Sequence, residues 1–148
     1  MILRLLPSQV PKWWELIKFG TLSVNGLVSE PRVMEYCNNL LASLMSEKYQ
    51  AWVGVDDTTK EIKGVAITAI RKDIGGIPYL LIEAVYGFVA SPLNDHDDFA
   101  SQMVAFARNA GCDSVYADIT IPRIKMAAER LGMIKVSERY RIIIGKGG

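Results

Sequence analysis

Residues 79–89, YLLIEAVYGFV, are apolar at nearly every position, and the run lies between GGIP and SPLND. Aromatic and β-branched residues between turn-forming clusters are a strand signal. Apolar side chains on both faces need cover on both faces, which places this strand in the centre of a sheet. Beyond the turn, Phe99, Met103, Phe106 and Ala110 recur at spacings of four, three and four, predicting an amphipathic helix over residues 95–110. A buried strand, a turn and a helix form a unit at which α/β proteins commonly bind ligands.

The other elements arrange themselves around that unit. Residues 2–6 read as a short strand ended by Pro7. Val10, Trp13, Trp14 and Ile17 mark a helix to about Phe19, with Pro11 tolerated in its first turn. Ser29 and Pro31 open a second helix, whose stripe of Val33, Cys37, Leu40, Leu41 and Leu44 runs to about Lys48. Strands over 50–56 and 62–71 form a hairpin about DTTKE, and a second turn leads into the central strand. Residues 114–118 read as a strand parallel to the central one, because a helix joins them. A helix over 122–131, closed by Gly132, precedes a last strand over 133–144. The order β-α-α-β-β-β-α-β-α-β, with helices on both faces of a mixed sheet, predicts an α/β (α+β) three-layer architecture in one domain spanning 1–148.

Composition excludes several functions. A net charge of +1 without any block of like charge offers no footprint for nucleic acid or an acidic membrane. The longest apolar run is too short to span a bilayer. The N-terminus lacks the apolar core and cleavage site of a signal peptide, so a cytoplasmic location is expected. Cys37 and Cys112 share no metal-ligand spacing and are expected to be reduced packing residues. The single histidine, His96, stands in DHDD, which reads as a solvated helix start, so no metal is expected. Neither a nucleophile elbow nor a Walker A or dinucleotide fingerprint occurs. Trp13 and Trp14 read as partly buried packing residues or as a binding platform.

Glu83 interrupts the apolar run. A carboxylate among apolar side chains is desolvated and its pKa raised, which suits a general base. The alternative is a splay or edge at which Glu83 reaches solvent or pairs with an arginine.

The segments AWVGVDDTTKEIKGVAI (51–67) and AAERLGMIKVSERY (127–140), set in this order of elements, resemble the GNAT superfamily of N-acetyltransferases. The first is similar to that family's second and third strands, with Gly64 before the core of the third. The second is similar to the fourth helix's LGF ending and the strand after it, with Met133 in place of Phe. The PKWWELI and LLASLMSEKYQAWVGV segments resemble, more narrowly, small GNAT-like proteins of tailed phages and prophages.

The resemblance implies an acyl-CoA-dependent N-acyltransferase, with acetyl-CoA or another acyl-CoA as cofactor and a small-molecule or protein amine as acceptor. It places the pantetheine arm against the backbone of Gly87, Phe88 and Val89, where the fourth and fifth strands splay. It places the diphosphate at the helix start, at Asn94 and Asp95, and makes Glu83 the base. The chain also departs from the family. The loop Q/R-x-x-G-x-G/A is missing, because no glycine or arginine occurs from 90 to 107 and Asp95, Asp97 and Asp98 crowd the helix start. A diphosphate there meets like charge, at about 1 kcal/mol per solvated contact. The family's tyrosine acid falls on Ala128, leaving Tyr116 and Tyr140 as substitutes, each with a packing alternative. Only about fifteen residues follow Gly132 where the family has a hairpin, so a second copy completing that edge as a homo-oligomer is expected. Two functions stand: an N-acyltransferase with a diverged site, and a non-catalytic GNAT-fold binding or structural module. The second would be phage-encoded or virion-associated, meeting its partner through Trp13 and Trp14 or the last strand.

Overall fold

The computed structural model describes residues 1–24, 30–87, 93–119, 122–142 and 144. Its elements are β1 (Ile2–Arg4), α1 (Val10–Val24), α2 (Val33–Met45), β2 (Tyr49–Val55), β3 (Ile62–Lys72), β4 (Pro78–Gly87), α3 (Leu93–Asn109), β5 (Val115–Ala117) and α4 (Pro122–Arg130). Short 3-10 turns at Pro7–Gln9 and Glu30–Arg32 lead into the first two helices.

Two aspartates close the hairpins that build the sheet. Asp56 Oδ1 accepts from the N–H groups of Thr58 and Thr59, both at 2.9 Å, between β2 and β3. Asp73 Oδ1 does the same for Gly75 and Ile77 between β3 and β4. Such side-chain bonds satisfy turn amides that no ladder reaches. The five strands lie in sequence order, antiparallel from β1 to β4, with β5 parallel to β4. The expected meander and crossover are therefore present.

Helices cover both faces of the sheet, as expected. On one face, Val10 and Ile17 of α1 and Leu40 and Leu44 of α2 pack on Val53, Val55, Val65, Ile67 and Ala84. On the other, Met103 and Ala107 of α3 pack on Ile2, Trp52, Ala66, Leu80 and Ile82. One polar relay is buried in the sheet. Trp52 Nε1 donates to Thr68 Oγ1 (2.9 Å), which donates to Gln50 Oε1 (2.8 Å), and Gln50 Nε2 donates to the Glu47 carbonyl (3.1 Å). Each member has a partner, so its burial carries no unpaired group. Cys37 and Cys112 are free thiols, and burial pushes the Cys112 thiol up, with Asp113 adding to the effect.

Two boundaries differ from the sequence reading. Helix α1 runs past Phe19, where the sequence reading ends it, to Val24. Gly20 packs closely there: a Cβ would stand 3.2 Å from Tyr86 Cβ, a contact that Tyr86 would relieve by giving a few tenths of an ångström. Thr21 and Ser23 donate their hydroxyls back to the carbonyls of Ile17 and Phe19, both at 2.7 Å, which satisfies them within the helix.

The last strand is the second difference. Among the described residues, 133–142 pair with no strand. Ile134, Val136, Tyr140 and Ile142 are all more than 60% exposed. The alternation is present, but a strand needs a partner backbone, and β5 offers only three residues. Local bonds hold this segment instead: Lys135 and Tyr140 both donate to Glu138, and Arg139 meets Asp118 at 3.0 Å.

Candidate active site

The ladder between β3 and β4 skips one residue. Ile67 faces Ala84 and Thr68 faces Ile82, so Glu83 is the extra residue of a β-bulge. Leu80 and Ile82 point to the α3 side, Ala84 points to the α1–α2 side, and Val85 returns to the α3 side. The bulge thus turns Glu83 and Ala84 to the same face, which regular alternation forbids.

On that face is a cleft of about 190 Å³. Tyr36, Asn39 and Ser43 of α2, Tyr49 of β2, and Glu83 and Ala84 of β4 line it. Arg71, at the end of β3, reaches along the sheet to this cleft. Its Nε donates to Glu83 Oε1 at 3.0 Å, its Nη2 also bonds Oε1, and Nη2 donates to the Tyr49 hydroxyl at 2.9 Å. The Arg71 guanidinium stacks over the Tyr49 ring, 5.7 Å from its centre. Glu83 holds this guanidinium even more firmly protonated than usual, chiefly through their hydrogen bonds and against the effect of burial. Glu83 is therefore not a lone carboxylate in apolar surroundings. Of the two readings open from sequence, the arginine pair is the one present, and the side chain keeps 24% exposure.

Next to Glu83 the sheet opens. β5 pairs with β4 only through Leu80, Leu81 and Ile82, and a last bond runs from the Asp118 N–H to the Ile82 carbonyl at 3.2 Å. β4 continues to Gly87, so residues 83–87 have no strand partner on that side among the described residues. Gly87 has φ +78°, and a Cβ there would stand 2.4 Å from the Lys63 carbonyl oxygen. Close backbone approach, inferred for Gly87 from sequence, is thus made first by β3.

The other sequence-designated residues are distributed as follows. Phe88 and Val89 lie outside the described residues, as do the side chains of Asn94 and Asp95, whose backbone forms the first turn of α3. Asp97 turns its carboxylate to Arg130 of α4, at 3.2 Å. Tyr116, 40% exposed on β5, meets Tyr79 edge-to-face at 5.1 Å and lines a separate cleft with Leu81, Asp118 and Arg139. Tyr140 is 85% exposed, and its hydrogen bond to Glu138 pushes its pKa up. Glu83 and Tyr116 line different clefts, so the structure does not gather the designated acid and base in one of them.

No family model matches the chain, and no curated protein matches it in sequence. Solved structures do match. A probable acetyltransferase superposes with a TM-score of 0.72 at 10% identity, over 99% of both chains. A ribosomal-protein-alanine N-acetyltransferase from Brucella melitensis gives 0.66 at 12% identity, over 97% of this chain and 99% of that one. An aminoglycoside N-acetyltransferase in complex with CoA gives 0.61 at 14%, over 99% and 93%. The chain shares the fold of these proteins, a GNAT-like α+β fold.

Sequence reasoning missed Arg71, Tyr49 and the polar residues of α2. In a GNAT fold the end of the third strand lies across a hairpin from the fourth, so Arg71 and Glu83 meet although twelve residues separate them. The signal for Arg71 was present: a charged residue ends an apolar strand just before a five-residue turn. Which residue it reached depended on the strand register.

Proposed function

We propose that the chain is an acyl-CoA-dependent N-acyltransferase whose acceptor amine lies in the cleft at Glu83. The observation that carries this reading is that Glu83, with Ala84 turned to the same face by the bulge, faces a polar cleft where β4 and β5 part. The unpaired edge of β4 fits a pantetheine arm: Gly87, with Phe88 and Val89 beyond it, would hold that arm by backbone. The start of α3, at Asn94 and Asp95, would face the diphosphate, and the Arg130 contact offsets part of the acidic charge there. Bound acyl-CoA supplies an activated acyl group as a thioester. Glu83 accepts a proton of the acceptor's ammonium, and the departing thiolate takes one from solvent, since Tyr116 lines another cleft and Tyr140 donates to Glu138.

Calorimetric titration with acetyl-CoA tests this. Saturable binding at micromolar levels supports it, and absence of both heat and thermal shift at millimolar levels overturns it. With an acceptor in hand, Glu83→Gln lowers kcat by about two orders of magnitude and leaves acetyl-CoA affinity unchanged.

A second reading is favoured by the Arg71–Glu83 pair and the three aspartates near the start of α3. In it, the fold is a non-catalytic binding module, phage-encoded or virion-associated, and self-associates through the exposed alternation of residues 134–142. Under this reading the acetyl-CoA titration is silent.

A further inference from the structure

The Arg71–Glu83 pair is half used. Both bonds from Arg71 to the carboxylate go to Oε1, and Nη2 is shared with Tyr49. Among the described residues, nothing bonds Glu83 Oε2 and Arg71 Nη1 bonds nothing. One open acceptor, on Glu83 in the cleft wall, and one open pair of donors, on Arg71 at its rim, therefore belong to one ion pair. The side chains are 42% and 24% exposed, so solvent and solutes reach both.

That pattern selects its ligand by charge. An amine with no second charge can bond Oε2, but its ammonium then stands beside the Arg71 guanidinium and is repelled. A carboxylic acid with no amine can bond Nη1, but it stands beside Glu83. A molecule carrying both groups a few atoms apart places its ammonium on Oε2 and its carboxylate on Nη1. Each protein charge then meets an opposite charge of the ligand. The cleft volume sets the size. At about 30 Å³ per water, 190 Å³ holds roughly six waters. That is room for a free amino acid. Asn39, Ser43 and Tyr36 of α2 line the same cleft, so the remainder of the ligand meets polar groups.

We infer that the acceptor is a small zwitterion, a free α-amino acid, held between Glu83 Oε2 and Arg71 Nη1. This deepens the acyltransferase reading and rests on it for the chemistry, but the binding step stands apart from acyl-CoA. Arg71 is then the specificity-determining residue, and Glu83 both grips the ammonium and later accepts its proton.

The test uses the whole chain without acyl-CoA. Each of the twenty L-amino acids is screened by thermal shift, and the best is titrated by calorimetry beside its carboxamide and its deamino acid. We expect at least one amino acid to bind saturably, with both analogues at least tenfold weaker. Arg71→Gln, its fold checked by circular dichroism, should bind the amino acid and its carboxamide alike, and Arg71→Lys should keep a partial preference. A carboxamide as tight as the free acid, or no binding by any of the twenty, overturns the inference. A peptide beginning with the preferred residue that binds as tightly as the free amino acid also overturns it. The two proposals fail separately. Amino-acid binding with no acetyl-CoA binding sinks the acyltransferase and keeps the zwitterion site. Acyl transfer to amines lacking a carboxylate does the reverse.

Discussion

At Gly87 two constraints coincide: a positive φ of 78°, and the β3 backbone 2.4 Å from where a Cβ would be. Gly76 shares the first, with φ +80°, but has nothing within 4 Å of a Cβ. Gly76→Ala should therefore cost only the left-handed strain, about 1 kcal/mol. Gly87→Ala adds a backbone clash and should cost about 3 kcal/mol. Urea unfolding of both variants checks the contrast, and equal costs would remove the close approach from the account. A glycine inside a strand run signals such an approach, and that much was legible. Whether the neighbour was a cofactor or β3 was not, because only the register decides it. Glu83 has the same history. The carboxylate in an apolar run was visible, whereas its arginine came from another strand.

Hairpins and helices were read well where their signals are local. The β2–β3 turn rests on Asp56, whose pKa falls from 3.8 to about 2 because the Thr59 and Thr58 amides, and then Lys63, favour its charged form. A carboxylate with a lower pKa in the folded state contributes stability that is fully present above the unfolded value of 3.8. That contribution is lost as the pH falls toward 2. Asp56→Asn should remove that part of the acid dependence. Urea midpoints measured from pH 5 down to pH 2 should fall less steeply for the variant than for the parent. Longer-range features were less legible. Nothing in GTLSV announces a helix, and there Gly20 lies close against Tyr86 of another element. Conversely, the alternation of 134–142 announces a strand that the sheet does not pair. Periodicity reports what a segment is able to do, and a ladder needs a second backbone.

Seen whole, the molecule is a sheet between two apolar layers that share no member. Ile17 is fully buried on one side and Met103 is 1% exposed on the other. Ile17→Val should cost about 1 kcal/mol and Met103→Ala about 2–5 kcal/mol. Because the sheet separates them, the double variant should match their sum within about 0.5 kcal/mol by chemical denaturation. A larger departure would mean that the layers communicate through the strands. The layers also show how fold and site are divided. Leu80, Ile82 and Val85 face α3 and Ala84 faces α1, and all would keep their sides if Glu83 were absent and the strand ran on without its bulge. One codon, inserted or lost, thus separates a silent scaffold from one that carries a carboxylate in a cleft. A lineage with this architecture can gain or give up that carboxylate at one codon while every core residue of the strand keeps its side.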